Sequence, residues 1–183
     1  STRIRLARNI LNYRFPTMFS QEEANQVEKD LLNCLMKADR NKYQFSYFTI
    51  KALSVLQRQI LVEKHLVSPY LASMELTGSV FITKDESLSV MVNEEDHLRI
   101  QSIYPGFQLN EAYQEAILVH QFISEQIDFA YDDQFGYLTS CPTNVGTGLR
   151  ASVMLHLPAL TMTKKMSNLI HTLTRLGMTV RGI

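Results

Sequence analysis

Two short β-rich runs, Ser79–Thr83 and Leu88–Val92, stand either side of Lys84-Asp85-Glu86, and this pairing constrains the fold more than any other feature of the 183-residue chain. Val, Ile, Phe and Thr in short runs broken by a polar turn make a hairpin, and a hairpin commits the sheet around it to antiparallel pairing. Residues 44–49, 98–103, 137–140, 151–157 and 178–183 read as further strands; the run 98–103 is closed by Tyr104-Pro105-Gly106. Between them lie helical patterns. Ser20 with Glu22 and Glu23 starts a helix over 21–38, carrying Ala24, Val27, Leu31 and Leu35 on one face. Residues 52–65 form a second, ending before Ser68-Pro69. Residues 110–130 form a third, with Tyr113, Ile117, Ile123, Ile127 and Ala130 together. A stripe of Met162, Met166, Leu169, Leu173 and Leu176, capped by Gly177, reads as a core helix. The expected class is α+β, a largely antiparallel β-sheet flanked by α-helices.

Charge narrows the function. Lys plus Arg equals Asp plus Glu at 18 each, so no overall field draws the chain to nucleic acid or an anionic membrane. No apolar run approaches ~20 residues, and no signal peptide is visible. Two distant cysteines, Cys34 and Cys141, form neither a disulfide framework nor a zinc pattern. They suit a reducing, cytoplasmic setting. Locally the charge is uneven. Residues 1–21 hold Arg3, Arg5, Arg8 and Arg14 and no acid, whereas 111–133 hold six acids and no Lys or Arg.

Three segments can carry chemistry. In Ser1-Thr2-Arg3-Ile4-Arg5, a strand's period of two puts Arg3 and Arg5 on one face. They read as an anion fork or as two solvated arginines. In Asn93-Glu94-Glu95-Asp96-His97-Leu98-Arg99, a carboxylate at a strand-to-loop junction can hold a cation or accept a proton, or the segment is a charged turn. A metal reading of Glu95, Asp96 and His97 is discounted, because adjacent residues of an extended segment point apart. The third segment, 136–150, is dense in Thr, Asn and Gly, whose backbone N–H groups can cradle an anion. It lacks the Gly-Lys-Ser/Thr of a P-loop. Cys141 within it reads as a reactive thiolate among arginines or as an ordinary buried Cys. His65, at a helix end, defaults to capping or packing.

Taken together and in order, Ser-Thr-Arg-Ile-Arg at 1–5, Asn-Glu-Glu-Asp-His-Leu-Arg-Ile at 93–100 and Cys-Pro-Thr-Asn-Val-Gly-Thr-Gly-Leu-Arg-Ala-Ser-Val at 141–153 resemble the ATP:guanidino phosphotransferases, or phosphagen kinases. The wording around them is most similar to the family's bacterial protein-arginine kinase branch. The resemblance implies a phosphagen kinase catalytic domain over 1–183, using ATP with Mg²⁺ carried by the nucleotide. Arg3, Arg5, Arg99, Arg150 and Arg181 match the family's phosphate-binding arginines. Ser1, Thr2 and Ile4 lie within the first motif, and Ala151, Ser152, Val153 and Met154 run along the nucleotide site beside Arg150. His65 matches a nucleotide-contacting His. Glu95 matches the catalytic carboxylate, with Glu94 and Asp96 as supporting acids, and Cys141 matches the cysteine beside the guanidinium. Animal creatine and arginine kinases place a His where Met154 stands, which fits the bacterial branch.

The chain opens on Ser1 and stops within a strand-like run, so both ends are expected to be trimmed. The second catalytic carboxylate is then expected past residue 183. No separate N-terminal helical domain is expected ahead of Ser1; an open acceptor site suits arginine on a protein surface. The implied partners are arginine-bearing protein substrates, a heat-shock repressor, an activating zinc-type protein and a protease chaperone, in a stress-response setting. A homodimer formed through the region past residue 183 is a further expectation. Small-molecule guanidino kinase and non-catalytic phosphoarginine-binding adaptor stand as alternatives.

Overall fold

The computed structural model describes residues 1–37, 43–75 and 77–181. The order of elements is β1 (Thr2–Arg8), α1 (Gln21–Leu35), β2 (Phe45–Thr49), α2 (Val55–Glu63), α3 (Pro69–Ala72), β3 (Ser79–Thr83), β4 (Leu88–Val92), β5 (Leu98–Tyr104), α4 (Leu109–Ser124), β6 (Tyr131–Asp132), β7 (Gly136–Tyr137), β8 (Leu149–Val153), α5 (Pro158–Met162) and α6 (Met166–Arg175). Contacts divide the chain into two units, Ser1–Val153 and the remainder from Met154. No helix among the described residues is long and apolar enough to cross a membrane.

The first unit is built on a six-stranded antiparallel sheet in the order β2-β3-β4-β5-β1-β8. The hairpin β3–β4 forms as its sequence demands, and β5 follows by a second tight connection. The α+β antiparallel expectation therefore holds. β1, the first strand of the chain, is inserted between β5 and β8 rather than at an edge.

Register decides what each face of the sheet carries. Phe81 opposes Val90, Val90 opposes Ile100, and Ile100 opposes Leu6, so one face is a continuous apolar row. α1 and α4 bury that face with Val27, Leu31, Leu35, Ala112, Ala116, Val119 and Ile123. Burying a Leu, Ile or Val side chain contributes about 1.5–3 kcal/mol, so this layer dominates stability. On the opposite face the row one position along reads Ile82, Ser89, Gln101, Arg5, Arg150. It grades from apolar to cationic. Ile50, Leu66, Val67 and Leu71, flanking or within α2 and α3, cover the apolar end with Val80, Ile82 and Met91. The cationic end is left for the site.

Local chemistry explains the helix ends. Ser20 accepts from the Glu23 N–H while Glu23 accepts from the Ser20 N–H, and Ser54 and Gln57 repeat the arrangement at α2. The second helix thus starts at Val55, later than position 52, because Ser54 is the better cap and Ile50–Ala52 tightens into a 3₁₀ turn. α2 ends with the His65 N–H donating to the Val62 carbonyl and the Leu66 N–H to the Leu61 carbonyl. His65 takes φ of +62°, a left-handed conformation normally left to Gly at this cap.

Several expectations are corrected. α4 stops at Ser124, short of 130, and buries Ala112, Ala116, Val119, His120 and Ile123 rather than a Tyr113–Ile117 face; Tyr113 is exposed. Two alanines let the helix sit close to the strands, and the bulkier Ile117 flanks the contact. Past the helix the backbone turns to pair with β1's continuation, Ile10 bridging Phe129 and the Ala130 N–H donating to the Asn9 carbonyl. The strand expected over 137–140 shrinks to Gly136–Tyr137, and that over 151–157 becomes Leu149–Val153, the stretch that β1 can pair. In the second unit the single helix expected over the methionine stripe is two, α5 and α6, broken at Lys164, which takes φ of +57°. None of its stripe is buried, with Met162 and Leu176 exposed, so it is not a core helix in this unit. Gly177 does cap α6, with the Met178 N–H reaching the Leu173 carbonyl. Residues 178–181 form no strand, having no pairing partner among the described residues, and 182–183 lie outside them.

Candidate active site

β1, β5 and β8 place their polar positions side by side. Arg5 opposes Arg150 on one flank and Gln101 on the other, and Arg99 lies two residues from Gln101 on the same face. Arg3 is two residues before Arg5 and opposes Ser152, whose hydroxyl donates to the Arg3 carbonyl at 3.3 Å. Four guanidinium groups therefore share one patch. Burial first, then Arg150 and Arg99, push the Arg3 guanidinium below its ordinary pKa. Burial, then Arg3, Arg150 and Arg99, push Arg5 down to about 10, with Glu94 opposing. The buried Nε groups of Arg3 and Arg5 have no hydrogen-bond partner among the described residues. An unmatched buried donor costs about 1–3 kcal/mol, which a multivalent anion would offset.

The 93–97 turn supplies the counter-charge. Arg99 makes a two-pronged contact with Glu94, Nη1 to Oε1 at 2.8 Å and Nη2 to Oε2 at 2.7 Å. Glu94 also accepts from the Ser68 hydroxyl at 2.7 Å and the Glu95 N–H at 2.9 Å. Both its oxygens are engaged, so it orients Arg99 and the turn itself. Glu95 makes one longer contact, Oε2 to Arg99 at 3.1 Å, and keeps a side chain 42% exposed. It is the acid free to meet a ligand. The cleft they define has a volume near 680 Å³, and its lining includes Arg5, Arg99, Arg150, Glu94, Glu95 and Tyr70.

Asp96 is not a third acid of the cleft. It is fully buried, and its Oδ1 accepts from Asn9 Nδ2 and the Ser140 N–H, both at 2.7 Å. His97 is likewise internal: its Nδ1 accepts from the Ile10 N–H at 3.0 Å, which assigns the proton to Nε2, donating to the Arg14 carbonyl at 2.9 Å. Burial holds its pKa below the usual imidazole value. Among the described residues no group of three or more His, Cys, Asp or Glu could hold a metal ion.

The 136–150 loop differs from its sequence reading. The N–H groups of Asn144, Val145, Gly146, Gly148 and Leu149 are satisfied within the loop or by β7, so these cradle no anion. The loop is closely fitted: a Cβ on Gly136 would stand 2.7 Å from the Gly146 carbonyl oxygen, and one on Gly148 2.5 Å from Arg8 Nη1, so both positions exclude a side chain. Cys141 is half-buried, its Sγ 3.0 Å from Thr143 Oγ1, and it does not line the cleft.

The remaining expected residues divide. His65 lies over the arginine face, its carbonyl accepting from Gln101 Nε2 at 2.6 Å, one strand from Arg5. Thr2 and Ile4 turn to the other face. Thr2 is buried against the turn at Gly106 and Gln108, and Ile4 is in the core. Ser1 and Ala151 are exposed, Ser152 and Val153 half-buried on β8, and Met154 opens the second unit, where Arg181 is exposed. Residues the motifs did not flag include Pro16, Thr17, Phe19, Tyr70, Met74 and Thr77 of the lining.

If the patch is built for phosphate oxygens, ligand binding follows from it. Inorganic phosphate or ATP is expected to raise the melting temperature, adding about 2.7 kcal/mol of stability at a concentration 100-fold over Kd. Arg5 titrates below its ordinary pKa, so its charge is present at neutral pH and lost as pH rises through about 10. The gain from phosphate should shrink over that rise as one of four cations is lost; a gain that does not diminish at all, in a thermal melt, removes Arg5 from the assignment.

An arginine patch on three adjacent strands, met by one orienting and one exposed carboxylate, has the chemistry to meet phosphate oxygens on one side and a cationic group on the other. The family profile described as ATP:guanido phosphotransferase, C-terminal catalytic domain, matches residues 26–183. The chain belongs to that family. Protein-arginine kinase from Caldanaerobacter subterraneus is 50% identical over the whole chain, which covers 55% of it, and that of Halalkalibacterium halodurans is 47% identical, with 51% covered. The chain thus spans about half the length of these curated relatives. Among solved structures, the duplicated taurocyamine kinase of Schistosoma mansoni with transition-state-analogue components aligns over 92% of this chain and 25% of its own, at TM-score 0.82 and 28% identity. Lombricine kinase shares the fold at TM-score 0.80 and 23% identity, over 94% of this chain and 51% of its own.

Proposed function

We propose that this chain is the phosphoryl-transfer core of a protein-arginine kinase, moving the γ-phosphoryl of ATP to the guanidinium of arginine side chains in proteins. The observation that carries it is the meeting of Arg5, Arg99 and Arg150 with Glu94 and Glu95 in one cleft near 680 Å³. Phosphoryl transfer needs in-line placement and neutralised oxygens more than covalent help. Arg3, Arg5, Arg99 and Arg150 take the phosphate oxygens, and His65 borders the nucleotide. Mg²⁺ would ride on the ATP phosphates, supplying further charge neutralisation. The acceptor guanidinium has a pKa above ~12 and is a poor nucleophile until a proton leaves. Glu95 aims the reacting nitrogen and accepts that proton. The N–P bond forms as the P–O bond to ADP breaks, and the proton passes on to water.

The relatives at 47–50% identity carry the name protein-arginine kinase, against 28% for the taurocyamine kinase, so a protein substrate is favoured over a small guanidine. The test is incubation of the intact protein with ATP and an arginine-containing protein. Acid-labile phosphate on arginine is the expected product. Faster turnover of free arginine or taurocyamine would turn the reading to a small-molecule kinase, and ATP binding with no transfer would turn it to an adaptor.

A further inference from the structure

We infer that Arg8-Asn9-Ile10, just past the phosphate-facing part of β1, is a positioning anchor that holds Glu95, Cys141 and Arg150 at a common spacing, with Asn9 at its centre. The inference rests on the proposed reaction for its kinetic consequence and on hydrogen bonds alone for its structure. All three residues are buried, and none lines the cleft.

Asn9 and Ile10 reach the 93–97 turn, Asn9 also reaches the segment ahead of Cys141, and Arg8 reaches the segment ahead of β8. Asn9 Nδ2 donates to Asp96 Oδ1 at 2.7 Å and to the Leu138 carbonyl at 3.2 Å, while its Oδ1 accepts from the His97 N–H at 2.8 Å. Ile10 donates its N–H to His97 Nδ1 at 3.0 Å. Arg8 Nη1 donates to the Thr147 carbonyl at 2.9 Å, and its guanidinium lies 3.5 Å over the Tyr137 ring. Asp96 follows Glu95 in the chain, and the same Asp96 oxygen accepts from Ser140, the residue before Cys141. Thr147 leads into β8 and Arg150. The strand that presents Arg3 and Arg5 is thus wired, within a few residues of its end, to the turn of the exposed carboxylate, the cysteine segment and the strand of Arg150. Asn suits the centre because its amide offers two N–H donors, used on Asp96 and the Leu138 carbonyl, together with an oxygen that accepts from the His97 N–H.

A misplacement near 1 Å at such a site costs about 10²-fold in rate, so the anchor should register in turnover rather than in nucleotide affinity. In the intact protein, Asn9→Ala is expected to lower kcat about 10²-fold with KM for ATP within about threefold. Asp96→Asn keeps an oxygen to accept from both Asn9 and Ser140, and is expected to retain kcat within about tenfold of wild type, where Asp96→Ala does not. Adding Asn9→Ala to Glu95→Gln should cost less than the two single losses multiplied together, because the anchor acts in part through Glu95. A second readout needs no kinase activity: the iodoacetamide alkylation rate of half-buried Cys141, Cys34 being buried. Release of Ser140 should change that rate more than about threefold. Wild-type protein that phosphorylates no arginine defeats the proposed function, while the alkylation rates still decide the anchor. A folded Asn9→Ala protein with both kcat and alkylation within about threefold of wild type overturns the anchor. Asn9→Ser, whose one shorter hydroxyl cannot make both the Asp96 and the His97 contacts, is read in the same way if Asn9→Ala does not fold. If neither folds, Asn9 is a determinant of the fold and the inference is overturned too.

Discussion

Glu95→Gln should lower arginine phosphorylation by about 10²–10⁴-fold, the span that a positioned proton acceptor contributes. The exchange keeps size and shape and removes only the charge and the capacity to take a proton. Glu95 is 42% exposed at the side chain, and its one ion pair, with Arg99 at 3.1 Å, sits at the rim. Such pairs contribute at most about 1 kcal/mol, so the fold should hold. ATP affinity should also hold, because the arginines carry it and Glu94 keeps Arg99 in place. The measurement is single-turnover transfer to a protein substrate beside ATP binding by calorimetry. Unchanged transfer by Glu95→Gln removes Glu95 from the chemistry. Loss of ATP binding to the same extent as turnover would make it a binding residue instead.

The neighbouring acid should behave in the opposite way. Glu94→Ala is expected to destabilise the protein by about 3–5 kcal/mol, the cost of breaking a buried pair and leaving one charge behind. Glu94 is 4% exposed at the side chain and Arg99 12%, and the contact is two-pronged. The loss also frees the Ser68 hydroxyl and the Glu95 N–H, so the 93–97 turn loses its brace. Urea or thermal unfolding of the intact protein measures this. Glu94→Ala with Arg99→Ala should be less destabilised than the sum of the two single changes, since the double variant leaves no stranded charge. Additive effects would mean that the pair is not coupled. Two adjacent glutamates thus separate by consequence: one in rate, the other in stability.

Spacing alone does not separate the three acids of Asn93-Glu94-Glu95-Asp96-His97; only the family resemblance singled out Glu95, and it left Glu94 and Asp96 together as supporting acids. A turn of this kind sends successive side chains in different directions, and what each meets is set by distant residues. Glu94 meets Ser68 and Arg99, Glu95 faces the cleft, and Asp96 meets Asn9 and Ser140. His97 lies among Tyr13, Phe15 and Phe19, which no spacing rule connects to it. The small-residue loop misled for a related reason: its composition permits free N–H groups, but its folding satisfies those of residues 144, 145, 146, 148 and 149 internally.

Local physics was readable. The β3–β4 hairpin follows from a turn between two β-rich runs, and α1 from the reciprocal Ser20–Glu23 cap. Arg3 and Arg5 share a face because strand geometry alternates by two, whatever lies next to the strand. By itself the sequence therefore determined the antiparallel α+β class, the positions of the capped helices and the pairing of the first two arginines. Only the tertiary structure decided that β1 runs between β5 and β8, which brings Arg99 and Arg150 beside them. It also decided which face of α4 is buried, which acid stays exposed, and that Asn9 joins Glu95's turn to the cysteine segment. The reason is range: caps and hairpins act over a few residues, whereas these contacts close loops of some 90 to 150 residues, and their partners leave no periodicity in the chain.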